Sequence, residues 1–86
     1  MKLFFTKQAQ KDFEKIKKDT SIIKRIRPLF EILEKDPMQT PPPFKQLTGE
    51  LKGAYSRRIN KKHRLVYRIE GGEVWVIAMW THYENL

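Results

Sequence analysis

The spacing of apolar residues changes period along the chain. Lys2 to Thr6 (KLFFT) is a short apolar run that reads as a first strand. After it, Ala9, Phe13 and Ile16 recur at i, i+4 and i+7, which lines one face of a helix starting at Lys7 with Thr6 as its cap. Asp19-Thr20-Ser21 supplies turn and cap chemistry for a second helix, whose apolar positions Ile22, Ile26, Leu29, Phe30 and Leu33 again follow the helical period. Pro28 falls inside that pattern, where it removes a backbone hydrogen bond and crowds the preceding turn. The pattern therefore predicts a kink near Arg27 in preference to a fresh start at Pro28. Asp36 to Pro43 (DPMQTPPP) cannot continue a helix and reads as a stiff connector, extended by its prolines.

Beyond the connector the period drops to that of strands. Three are predicted: Leu51 to Asn60, His63 to Glu70 and Glu73 to Tyr83, joined by turns at Asn60-Lys61-Lys62 and Gly71-Gly72. Val74 to Trp80 is apolar at nearly every position, which suits a strand covered on both faces. The order β-α-α-β-β-β predicts one α+β domain over residues 1–86, with two helices packed on one face of a small antiparallel sheet. Alternation sends Leu65, Tyr67 and Ile69 toward the helices and leaves Arg64, Val66 and Arg68 on the other, open face.

Charge changes the picture next. Eighteen Lys+Arg stand against ten Asp+Glu, a formal net charge of +8. On a small domain such an excess repels itself and favours a polyanionic partner, nucleic acid first. The absence of cysteine excludes disulfides and thiolate metal sites. No apolar run approaches the roughly 18 residues that a membrane span needs, and the N-terminus is too short for a signal peptide. A cytoplasmic protein without membrane association is the expectation.

The candidate chemistry concentrates in Gly53 to Tyr67 (GAYSRRINKKHRLVY), where Arg57, Arg58, Lys61, Lys62, His63 and Arg64 are interleaved with Tyr55 and Tyr67. One reading is a solvated hairpin whose charges prevent edge-to-edge association. The other is a surface on which arginines grip phosphate through paired hydrogen bonds and tyrosines stack on bases. On that second reading Arg57, Arg58, His63, Lys52 and Tyr55 bind RNA. His82, near the end of the chain, titrates near neutrality and suits proton transfer to an RNA oxygen. With only His63 and His82 as histidines and the acids scattered, neither a metal site nor a cofactor is expected. Ser56 reads as an ordinary strand residue. RNA supplies its own nucleophile, the 2′-hydroxyl, so an RNase of this kind needs only a proton acceptor, a proton donor and cations around the phosphorus. Trp75, Met79 and Trp80 either pack in the core or sit beside the open face, where they would favour an acidic, aromatic-bearing partner segment.

Tyr55-Ser56-Arg57-Arg58-Ile59-Asn60, then His63-Arg64-Leu65-Val66-Tyr67, then the terminal His82-Tyr83, resemble the YoeB/Txe branch of the RelE/ParE toxin superfamily. The likeness covers essentially the whole chain. It implies a type II toxin with a microbial-RNase-like fold that cuts mRNA in the ribosomal A site, against 16S rRNA, leaving a 2′,3′-cyclic phosphate and a 5′-hydroxyl. It also implies an antitoxin of the YefM/Axe type, with operator DNA bound only through the toxin–antitoxin complex. By position, the resemblance makes Arg64 the phosphate-stabilising arginine, Arg58 a further phosphate contact, His82 the acid and Tyr83 its neighbour. The family's catalytic glutamate position holds Lys45. Three readings of the base follow: Lys45 in its neutral form, favoured by surrounding cations; Glu50 from nearby; or a site that acts chiefly by orienting the RNA. Two other classes stay open beside the RNase: a ParE-like inhibitor that acts by protein contact, and a non-catalytic RNA-binding module.

Overall fold

The computed structural model describes residues 1–80. Both helices begin at the expected caps. The Thr6 hydroxyl accepts from the Ala9 amide and opens α1 (Lys7–Ile16), after strand β1 (Lys2–Phe5). The Asp19 carboxylate accepts from the Ser21 and Ile22 amides and opens α2 (Thr20–Lys35). These bonds satisfy amides that the first turn leaves without partners. The Ser21 hydroxyl also donates to Asp19 and is the main reason its carboxyl is held below the usual range. α2 runs through Pro28 without interruption, which disposes of a restart there.

The remaining strands are β2 (Lys45–Gln46), β3 (Ala54–Arg58), β4 (Arg64–Glu70) and β5 (Glu73–Ala78), with a 3-10 turn at Gly49–Leu51. They form one five-stranded sheet in the order β1-β5-β4-β3-β2. The α+β class and the order of its main elements are as predicted, but the sheet is mixed. β1 lies parallel to β5, while the other neighbours are antiparallel. Both helices and three strands separate β1 from β5, so no tight hairpin imposes an antiparallel pairing. The two-residue β2 is an element the apolar pattern does not reveal.

The strands are also shorter than predicted. Leu51 lies in the 3-10 turn and Gly53 has a φ of 93°, so β3 begins only at Ala54. At its other end the chain turns at Asn60, whose side-chain oxygen accepts from the Lys62 and His63 amides, and β4 begins at Arg64. Gly71 and Gly72 both have positive φ and close the two-residue β4–β5 hairpin. β5 ends at Ala78; the expected continuation to Tyr83 runs into residues outside those described.

The helix-facing core joins Ala9, Ile16, Ile22, Ile26, Leu29 and Leu33 to Leu65, Tyr67, Val74 and Val76. At about 1.5–3 kcal/mol for each large apolar side chain buried, this layer dominates stability and leaves the opposite face free to carry charge. That opposite face holds only a small cluster: Leu47, Ala54, Val66 and Ala78, with Leu51 and Ile77 packed beside it. A bulge makes this possible. Val66 pairs with Ala78 but Tyr67 with Val76, so Ile77 is the extra residue and Ala78 turns to the Val66 side. Met79 is buried in the helix-facing core, and Trp80 packs against it. Trp75, paired with Arg68 and stacked on Phe4 at 4.9 Å, lies on the open side instead. No helix among the described residues is long and apolar enough to cross a membrane.

Candidate nucleic-acid interface and active site

On the open face a concavity of about 250 Å³ is lined by Pro43, Phe44, Lys45, Ser56, Arg58 and Arg64. Strand register builds it. Lys45 on β2 is opposite Ser56 on β3, and Arg58 on β3 is opposite Arg64 on β4. Three adjacent strands thus bring three cations around Ser56, which is 3% exposed.

The Arg58–Arg64 pair is the informative feature. Like charges directly across an antiparallel pair are unfavourable. Here both guanidinium groups are drawn to one acceptor: Arg64 Nη1 donates to the Asn60 carbonyl at 2.7 Å, and Arg58 Nε donates to the same oxygen at 3.3 Å. Arg64 Nη1 also reaches the His63 carbonyl at 3.1 Å. The arginines are therefore held near one another by backbone dipoles, with no carboxylate among the described residues paired to either. A local arrangement that costs stability and is nonetheless held in place is a mark of a functional site. A phosphate is the ligand whose charge and oxygen geometry would relieve it.

Several predicted RNA contacts lie elsewhere. Arg57, next to Arg58, points to the opposite side of the sheet and is 1% exposed. Its Nε donates to the Tyr67 hydroxyl at 3.0 Å, and its terminal nitrogens donate to the carbonyls of Pro37 (2.8 Å), Gln39 (2.8 Å) and Pro42 (2.6 Å). The Tyr67 hydroxyl in turn donates to Pro37 at 2.9 Å. With its donors committed to the protein, Arg57 is not an RNA contact; it fastens the connector. The connector itself is wrapped around that guanidinium rather than extended, and it ends directly before the Phe44–Lys45 wall of the concavity. Burial raises the Tyr67 phenol pKa above its ordinary value, against the opposing influence of Arg57.

His63 is likewise turned inward. It is 4% exposed, and its ring stacks on Trp80 at 4.4 Å. Among the described residues its Nδ1 has no hydrogen-bond partner. Burial, with Lys62 assisting, lowers its pKa below the usual imidazole value. This histidine is a packing residue and not a phosphate contact. Tyr55, opposite Tyr67, packs on the helix side between that ring (5.7 Å) and Phe44 (5.5 Å), so it does not share the arginine face. Lys52 lines a different concavity with Gln46 and Gly53. Glu50 is exposed on the 3-10 turn and does not line the Lys45–Arg58–Arg64 concavity. His82 and Tyr83 lie outside the described residues.

Two residues without a site role in the sequence pattern, Asn60 and Ser56, shape the site, and a third, Asp12, holds the chain past β5. Asn60 is more than a turn residue, because its carbonyl collects both arginines. Ser56 forms the buried floor. Asp12, 3% exposed on α1, accepts from the Met79 amide at 3.0 Å and from Gln8 at 2.9 Å, fixing the chain just past β5. Asp12 stands three positions after Ala9 and four before Ile16, so helical spacing alone places its carboxylate on the apolar face. Among the described residues no group of three or more His, Asp or Glu is placed to hold a metal ion.

Comparison with known proteins agrees with this architecture. A family model described as "YoeB-like toxin of bacterial type II toxin-antitoxin system" matches residues 5–83. Toxin YoeB of Synechocystis sp. is 34% identical over 86 residues, covering 99% of this chain and all of that protein. A solved YoeB/ParE toxin from Agrobacterium tumefaciens superposes with a TM-score of 0.88 at 31% identity, covering 96% of this chain and all of that one. The YoeB–YefM complex from Staphylococcus aureus gives a TM-score of 0.83 at 27% identity, covering 96% and 98% of the two chains. The chain belongs to the YoeB-like toxin family of bacterial type II toxin–antitoxin systems.

Proposed function

We propose that this toxin is an endoribonuclease that cuts mRNA in the ribosomal A site and thereby stops translation. The observation that carries the reading is the like-charged Arg58–Arg64 pair, collected on one carbonyl at a concavity whose opposite wall is Lys45. Such a site is built for a phosphodiester. In the proposed reaction the 2′-hydroxyl oxygen attacks the adjacent phosphorus, and the bond to the 5′-oxygen of the next nucleotide breaks. The Lys45 amine on the facing wall takes the 2′-hydroxyl proton. Arg64 and Arg58 hold the non-bridging oxygens as charge builds on them, the kind of stabilisation worth about 2.7–4 kcal/mol per donor. His82, with Tyr83 beside it, delivers a proton to the departing 5′-oxygen. The products are a 2′,3′-cyclic phosphate and a 5′-hydroxyl.

The proposed partner is an acidic antitoxin of the YefM type, whose charge would complement a chain of net +8; the similar S. aureus YoeB is solved in a complex with YefM. The test is to add the purified chain to ribosomes paused on a defined mRNA and determine the chemistry of the new ends. Cuts at the A-site codon with cyclic-phosphate termini are expected. Intact mRNA together with blocked DNA gyrase would replace this reading with a ParE-like inhibitor.

A further inference from the structure

A second basic groove adjoins the concavity. It lies between α2 and the β3–β4 hairpin, has a volume of about 570 Å³, and is lined by Arg25, Arg58, Ile59, Asn60, Lys61 and Lys62. Arg58 lines both this groove and the Lys45–Arg64 concavity, so the two are neighbours joined at one guanidinium. Four of the six lining residues are cations and none is acidic. They come from separate elements, Arg25 from the helix and the others from the hairpin, so the cluster is a product of the fold and not only of a basic run in the sequence.

The hairpin that presents the lysines is fixed. Ile59 is 2% exposed and anchored in the helix-facing core. The Asn60 side-chain oxygen accepts from Lys62 (2.9 Å) and His63 (2.7 Å), and the Ile59 amide donates to the His63 carbonyl at 3.1 Å. Lys61 and Lys62 thus sit on an ordered backbone with their side chains exposed to solvent. A surface merely solvated by charge has no need of that order. A surface that receives a polyanion gains from it, because less freedom is lost on binding.

We infer that this groove is a second phosphate subsite, holding an RNA backbone beside the phosphodiester in the concavity. The inference rests on the reading that the concavity takes a phosphodiester, and it adds Arg25, Lys61 and Lys62 as contacts. The backbone is that of the flanking mRNA strand or of ribosomal RNA, and the experiment separates the two.

The full chain is titrated against two probes: a short single-stranded RNA with 2′-fluoro riboses, which lacks the attacking hydroxyl, and ribosomes carrying no mRNA. Arg25→Glu is compared with Lys11→Glu, and the double variant Lys61→Glu/Lys62→Glu with Lys7→Glu/Lys11→Glu, which make the same charge changes at exposed positions of α1. The groove variants are expected to raise Kd about tenfold or more, and to flatten the log–log salt dependence for the oligonucleotide by about 0.7 for each phosphate no longer neutralised. Lys11→Glu is expected to stay near wild type. Weaker binding to the oligonucleotide identifies the substrate strand as the occupant; weaker binding to ribosomes alone identifies ribosomal RNA. If each groove variant matches the α1 variant of equal charge change on both probes, only overall charge matters and the subsite is disproved. Lys61→Gln/Lys62→Gln, which adds no negative charge, should show a smaller loss in the same direction. Since the oligonucleotide cannot be cut through a 2′-hydroxyl, this outcome is independent of whether the toxin cleaves.

Discussion

Arg57 and Arg58 are adjacent in sequence and opposite in role. Arg57 is buried, its charge surrounded by three connector carbonyls and the Tyr67 hydroxyl. Arg58 is exposed on the other face, opposite a second arginine with which it shares a carbonyl. The same division recurs one strand on, where His63 packs inward against Trp80 and Arg64 lines the open concavity. In each pair one residue fastens the scaffold and its neighbour is left available to a ligand. A basic run is therefore not a uniform surface: strand alternation and the hairpin between β3 and β4 divide it into structure and site.

The largest effect that tests this division is on stability. Arg57→Ala leaves several buried acceptors without a donor and frees the connector, and it should cost about 3 kcal/mol or more in urea unfolding. A loss below about 1 kcal/mol would mean that the connector does not depend on Arg57. Tyr67→Phe removes one acceptor and one donor from the same cluster, and should cost about 1–2 kcal/mol by the same measurement. It should be additive with substitutions on the open face and not with Arg57→Ala.

The His63 arm of the comparison is tested by pH. Its folded-state pKa is depressed by burial, so its contribution to stability is complete above the ordinary value of 6.5 and is lost as pH falls through the lower folded value. Unfolding free energy should decline on acidification in that window, and His63→Phe, which keeps a ring against Trp80, should flatten the decline. An unchanged pH profile in His63→Phe would assign the decline to other groups. The smallest effect belongs to Arg58. Relieving a like-charge pair, Arg58→Ala should leave stability unchanged or raise it by a few tenths of a kcal/mol, while lowering the cleavage rate. A clear loss of stability would place Arg58 with Arg57 as a scaffold residue.

Much of the fold was legible because its signals are local. Thr6 and Asp19 announce their helices by hydrogen bonds that reach only three residues ahead. Gly71-Gly72 fixes its hairpin through backbone conformations that glycine adopts freely. Alternation in β4 correctly separated Leu65 and Tyr67 from Arg64 and Val66. What stayed hidden depends on partners distant in sequence. Whether Arg57 faces helices or solvent is decided by its pairing with Leu65, across a turn whose geometry rests on the Asn60 side chain. The acceptors that surround Arg57 are backbone carbonyls of Pro37, Gln39 and Pro42, which no pattern of side chains reports. The bulge at Ile77 likewise reverses the facing of Ala78 without any mark in an apolar stretch. Of the candidate site residues, Arg58, Arg64 and Lys45 line one concavity, whereas Tyr55, Arg57 and His63 belong to the packing beneath it.

On the proposed function, Arg58 and the half-buried Arg64 grip a phosphodiester undergoing cleavage. Single-turnover cutting of mRNA on paused ribosomes by Arg64→Ala, with unfolding measured on the same preparation, tests it most directly. The expected rate is lower by roughly 10²–10³-fold, with unfolding free energy within about 0.5 kcal/mol of wild type. A folded Arg64→Ala toxin that cuts at the wild-type rate would contradict it.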